Sequence, residues 1–305
     1  MNRTIDLEFI TPLFSHGATD LPEVRAASIR GQLHAWFRIV GGDIEAERRV
    51  FGGIKHRKTD EGKMPSCDRT MASKDVVRVA EVKPKGQPRE LPTLPHKTGG
   101  MAAPRKAYDM GTTCRVMIHD RLGGLSQSDE ELLNRATNAW LLMGTLGFRA
   151  TRAAGSFVWH DGSFPMPTEP LAYEDACRDL LDESNANAKV AVLGRDYTSA
   201  ETARRDVSDS LGGRDDRKGQ DDLAALNDPL GFINGRDGRK RKTSPLKYRI
   251  VRFDGKFRVL AFWDGRSEVT GNSDDDFRGV VDLLNEHPRI HDRIGAQLKA
   301  AVWLI

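Results

Sequence analysis

Two amphipathic helix patterns, each framed by short runs of alternating polarity, constrain this chain more than any other feature. Ile5, Leu7 and Phe9 alternate with Thr4, Asp6 and Glu8, the period of a half-buried strand within residues 4–13 that Pro12 closes. A helix is predicted from Ser28 to Val40, because Ile29, Leu33, Trp36, Phe37 and Val40 recur on one helical face and Gly41-Gly42 ends the run. A shorter helix over 44–51 stops at Gly52-Gly53. Strands are predicted over 76–82 and 114–118. A long helix then starts at about Ser128, with Ser128-x-x-Glu131 as a capping box and Leu132, Leu133, Ala136, Trp140, Met143 and Leu146 as its apolar stripe. A strand over 156–160 follows at once.

The resulting order, β-α-β-β-α-β, predicts an α+β protein built on a ferredoxin-like (RRM-like) unit, an antiparallel sheet with two helices on one face. We expect this unit in residues 1–165, interrupted by an insertion at 55–106. The insertion carries 13 Lys/Arg against six Asp/Glu, a local net charge of +7. Residues 166–305 predict a second, degenerate ferredoxin-like or decorated α+β half. Its clearest signal is a hairpin, 247–253 and 256–263 around Asp254-Gly255, the dipeptide of a type I′ turn. Helices are expected over 170–183, 274–286 and 291–303, a short strand over 190–193, and a mobile loop over 195–222.

Charge and composition exclude several functions. The 305 residues hold 47 Lys/Arg and 44 Asp/Glu, a net of +3, so a nucleic-acid site must be a local patch. No apolar run approaches the ~20 residues of a membrane helix, and the opening residues have no signal-peptide core. A cytoplasmic protein without a membrane partner is expected. Cys67, Cys114 and Cys177 are few and scattered, which fits a reduced compartment. There is no CxxC, HExxH, GxxxxGK[ST] or GxGxxG, so neither a common zinc site nor a common nucleotide cofactor is expected.

Three segments could meet an anion. Residues 143–157 place Gly144, Gly147 and Gly155 with Arg149, Arg152 and Ser156 between a helix and a strand. Glycines allow close backbone approach and arginines supply phosphate-matching forks, although the same glycines could simply cap the helix and permit a tight turn. Ser28, read as the cap of the first helix, has Arg25 and Arg30 beside it and Arg38 further along, where an ordinary capped helix is the plainer alternative. Residues 236–249 carry seven Lys/Arg against one Asp, among them Arg239, Lys240, Arg241 and Lys242, as either a nucleic-acid contact or a solvated loop.

Four elements in order then resemble a known family. Residues 10–14 (ITPLF), 23–31 (EVRAASIRG), 36–38 (WFR) and 51–53 (FGG) look like the N-terminal signature of the RAMP superfamily, RNA-binding subunits of CRISPR effector complexes. The stretch 144–156 is similar to that superfamily's glycine-rich loop. The wording is closest to the first RAMP subunit of type III-B (Cmr) complexes, with Val24 where leucine is usual, and residues 243–246 resemble an element of that subunit's second half. The resemblance implies contact of Ser28, Arg30 and the loop residues with guide RNA, target RNA or their duplex, and assembly with other RAMP subunits.

Catalysis is the competing expectation. Asp20-Leu21-Pro22 falls in the loop where cleaving RAMP subunits keep an aspartate, and a carboxylate there could hold Mg²⁺ against a scissile phosphate. An aspartate before proline is equally a common turn. A third reading is a scaffold that touches protein neighbours and barely touches RNA. His56, Cys67, His96, Cys114 and His119 match no standard metal spacing. Trp36, Trp140, Trp159 and Trp303 could stack bases, although Trp36 and Trp140 sit at core spacing.

Overall fold

The structure, a computed structural model, describes residues 1–19, 21–56, 67–121, 123–181, 185, 187–211, 223–230 and 244–303. The first half runs β1 (Asn2–Phe9), α1 (Ala26–Ile39), α2 (Ile44–Phe51), the hairpin β2 (Gly53–His56) and β3 (Cys67–Met71), β4 (Asp75–Lys83), the ribbon β5 (Arg89–Pro92) and β6 (Pro104–Ala107), β7 (Thr113–Asp120), α3 (Gln127–Met143) and β8 (Phe157–His160). The main sheet has the order β4-β7-β1-β8, with every pair antiparallel. With the hairpin and ribbon set aside, this is the ferredoxin-like order of a split β-α-β unit. Ile5, Leu7 and Phe9 point into the core beneath α1 and α3, where Trp36 and Trp140 are buried, while Asp6 and Glu8 take the open face.

The second half runs α4 (Pro170–Leu181), β9 (Lys189–Val192), α5 (Ala200–Ser210), a short α6 (Asn227–Leu230), β10 (Leu246–Phe253), β11 (Lys256–Trp263), a turn α7 (Ser267–Thr270) and α8 (Asp274–Glu286). Its sheet has the order β10-β11-β9. Among the described residues this is the strand order of the first unit without its last strand, a degenerate ferredoxin-like arrangement. The hairpin turn holds Asp254 at φ 43° and Gly255 at φ 74°, as a type I′ turn requires.

Three local expectations need correction. Residues 200–210 are helical, not loop: Ser199 caps α5 by accepting from the Glu201 amide, and Ala203, Val207 and Leu211 form its buried stripe. Its polar residues are paired inside the protein, Arg204 with Glu201 and Asp209 with Arg293, which is why composition disguised it. The cap of α3 is Ser126, which accepts from the Asp129 amide, two residues earlier than Ser128. The final helix breaks into short pieces with a π-type turn at His291–Gly295.

The halves are bolted together at β8 and β10. Tyr248 donates its amide to the Thr151 carbonyl at 3.2 Å, and Ile250 donates its amide to the Ser156 hydroxyl at 3.0 Å. Between them Arg249, 1% exposed, donates to the carbonyls of Leu141, Gly144 (2.7 Å) and Phe157. One core contains Ile5, Leu7, Leu33 and Trp140 from the first half together with Tyr173, Val251, Phe253, Leu260 and Phe262 from the second. Trp159 is buried against Tyr173, and Trp303 packs on Phe277, so the other two tryptophans are also structural.

Candidate nucleic-acid interface

The glycine-rich loop is seated by its own backbone. Phe148 donates its amide to the Phe14 carbonyl at 2.7 Å, Gly155 to Pro12 at 2.9 Å, and Leu146 to Gly155 at 3.0 Å. Each glycine is required at that seat. A Cβ on Gly155, at φ 65°, would lie 1.8 Å from the Leu146 oxygen, and one on Gly147, at φ 91°, would lie 2.6 Å from the Phe14 oxygen. A Cβ on Gly144 would strike the Trp140 ring. These glycines serve close packing within the protein, the tight-turn alternative of the sequence reading, and the N–H groups of Gly144 and Gly155 are spent on the Trp140 and Pro12 carbonyls. Ser156 is likewise internal: its hydroxyl is buried, donates to the Ala153 carbonyl at 2.9 Å and accepts from Ile250.

The same seat joins the two nominated segments. Residues 12–14 carry the loop on one side, and the Ser15 carbonyl accepts from Glu23 at 2.8 Å on the other, just before α1. Helix α1 begins at Ala26, so its N-cap is Arg25, with no side-chain cap bond, and Ser28 lies within the first turn. The cap role expected of Ser28 is thus corrected: the chain is already helical two residues earlier. Arg25 donates to the His16 carbonyl at 3.3 Å, which ties the helix start to the loop.

The arginines divide into committed and open groups. Arg30 binds Asp75 and the Phe51 carbonyl, so it fastens α1 to β4. Arg38 forms a two-pronged pair with Glu47 at 2.7 Å. Burial would push the Glu47 carboxyl up, but the bonds from Arg38 and His34 more than offset that and hold it below the usual range. Arg249, from the basic stretch 236–249, is buried as described above. Arg152 is half-buried and donates to the Leu211 carbonyl at 3.2 Å. Arg149, at φ 62°, stands over the Phe148 ring at 4.9 Å. Burial, and then the neighbouring Arg105, lower its pKa. Asp20 and Arg239, Lys240, Arg241 and Lys242 lie outside the described residues.

One residue of this surface, Phe148, was not nominated from sequence, and Arg105 was nominated only as one of the basic residues of the 55–106 insertion, itself a further candidate for RNA contact. Phe148 is 42% exposed although aromatic, and Arg105, from the ribbon strand β6, stands over the same ring at 4.8 Å. The signal available for Phe148 was a lone aromatic between glycine and arginine; nothing linear relates Arg105 to it. The open face of the main sheet carries charges of both signs. Arg115 lies between Asp6 and Glu81, and Arg252 pairs with Glu8, within a cavity of about 810 Å³. Among the described residues, no three His, Cys, Asp or Glu gather as a metal site, and no helix is long and apolar enough to cross a membrane.

A split β-α-β unit, a glycine-rich loop between its second helix and last strand, and the match of residues 6–158 to the RAMP superfamily together place this chain in that superfamily, to which it belongs. It is 28% identical over 182 residues to the CRISPR system Cmr subunit Cmr1-2 of Pyrococcus furiosus, a match covering 50% of this chain and 91% of that protein. Its fold is similar to the apo crystal structure of Cmr1 from Pyrococcus furiosus, with a TM-score of 0.56, 19% identity, and coverage of 87% of this chain and 88% of that one.

Proposed function

We propose that this chain is an RNA-binding structural subunit of a type III CRISPR ribonucleoprotein. In this role it holds guide RNA, or the guide–target duplex, by its sugar–phosphate chain and packs against other RAMP subunits. The observation that carries the reading is the placement of Arg105 and Arg149, from two separate segments, over the exposed Phe148 ring of one glycine-seated loop, in a chain of this superfamily. Guanidinium forks match phosphate oxygens and carry no sequence information, so specificity comes from base pairing in the guide.

The test is ultraviolet crosslinking of the assembled complex to its guide. Charge reversal at Arg149 and Arg152 together should remove the crosslink to this subunit, and an unchanged crosslink would assign the chain to scaffolding. The metal-dependent nuclease reading has Asp20 as its single candidate ligand. An Asp20→Ala complex is expected to cut matched target RNA with an unchanged pattern; loss of one cleavage site would establish the nuclease instead.

A further inference from the structure

We propose that Arg105 and Phe148 combine with Arg149 into a phosphodiester-binding fork, which deepens and rests on the RNA-binding reading above. The two guanidinium carbons stand 4.8 and 4.9 Å from the centre of one phenyl ring. They are therefore closer together than the ~10 Å over which 0.1 M salt screens charge. Neither has an ion-pair partner among the described residues, whereas Arg30, Arg38, Arg49 and Arg115 each bind a carboxylate. The Arg149 Nε is buried with no hydrogen-bond partner, and the backbone of Arg149 is held in the left-handed region. The protein thus brings two like charges together at an exposed aromatic and, among the described residues, pairs neither with a carboxylate.

The ring explains how this is tolerated. A phenyl face attracts a guanidinium, so one ring can fix both cations in place without a carboxylate that would compete with a ligand. An anion docked at this ring relieves the repulsion and can receive donors from either guanidinium. Successive phosphates of single-stranded RNA are the occupant that fits, because the fork lies on the loop that the RNA reading already invokes. Arg105 comes from the insertion, so the insertion becomes part of the binding surface, beyond a decoration of it.

Anisotropy of a labelled single-stranded oligouridylate with the full chain, titrated at several salt concentrations, tests the fork. Arg105 is exposed, so Arg105→Ala should fold as the parent does. It should bind about tenfold more weakly and lower the slope of log affinity against log salt by ~0.7, the value of one single-strand phosphate contact. Phe148→Leu, which keeps the apolar bulk and loses the ring face, should weaken binding in the same direction. Arg278→Ala, on exposed α8, should match the parent. If Arg149→Ala weakens binding and Arg105→Ala does not, the fork is wrong and the RNA reading stands. If the parent chain binds no RNA, or binds polyglutamate through Arg105 instead, the RNA reading falls and takes the fork with it.

Discussion

Arg249 offers the sharpest test of how the two halves are joined. Its guanidinium is buried with no carboxylate partner among the described residues, and its charge is met by the carbonyl end of α3 through Leu141 and Gly144, by the Phe157 carbonyl of β8, and by the Phe157 ring at 4.4 Å. A cation at a helix C-terminus complements the partial negative charge there. Arg249→Met fills similar volume but leaves three buried carbonyls without donors, at about 1–3 kcal/mol each. Relief from burying the guanidinium offsets part of that loss, so the net cost should be about 3–5 kcal/mol, as for one partner removed from a buried charged pair. At roughly 2–4 °C per kcal/mol, Tm should fall by about 6–20 °C. Arg249→Lys keeps the charge but one ammonium cannot span both sets of carbonyls, so it should melt between the two. Hydrogen exchange at residues 144–156 should rise in both variants, because the Gly144 carbonyl is released. A methionine variant melting within about 2 °C of the parent would refute the claim that this side chain clamps the loop.

Three further perturbations check other parts of the structure. Gly155→Ala adds a Cβ 1.8 Å from the Leu146 oxygen at a left-handed φ, and should cost about 2–5 kcal/mol of stability by urea unfolding; a variant as stable as the parent would show the loop is not so seated. His96 sits half-buried with Nδ1 on the Ser208 hydroxyl at 2.9 Å, and burial lowers its pKa from 6.5 to about 4. The unfolded chain therefore takes up the proton first, so stability falls as pH drops from 6.5 toward 4, by up to about 2 kcal/mol at pH 5. His96→Gln should remove that part of the loss, seen as a smaller Tm difference between pH 7 and pH 5. Glu47 is depressed, so its contribution is present above its unfolded pKa and disappears as pH falls below about 4.5. Glu47→Gln should lower the urea midpoint at pH 7 more than at pH 3.5, and an equal drop at both would separate its role from ionisation.

Much of the frame could be read from periodicity. The stripes of α1 and α3 and the alternation in β1 are large, local and repeated, so the split β-α-β order follows from them. The dipeptide Asp254-Gly255 located its hairpin for the same reason, since its turn geometry is set by two residues. Helix α5 was hidden because its stripe is short and its charges are buried in pairs with partners up to 84 residues away. The glycines of residues 144–156 stood out in the sequence with two roles open, close approach to a ligand or a tight turn of the protein's own backbone, and only three dimensions show that Phe14 and Leu146 occupy the space. Arg249 looked like part of a solvated basic run because charge density along the chain says nothing about which side chain turns inward. Arg105 and Phe148, 43 positions apart in the chain, meet through packing alone.

The joint between β8 and β10 also sets a schedule for synthesis. Phe157 and the arginine that satisfies its carbonyl are 92 residues apart. At about 5–20 residues per second, a ribosome needs roughly 5–20 seconds to supply that arginine after the strand has emerged. During this interval the outer strand β8 of the nascent first sheet lacks the β10 backbone and the arginine that later meet it, the condition in which strands pair with the wrong neighbour. The chain therefore has no safe stopping point near its middle, and a chaperone or an early-arriving subunit would have its greatest effect in that window.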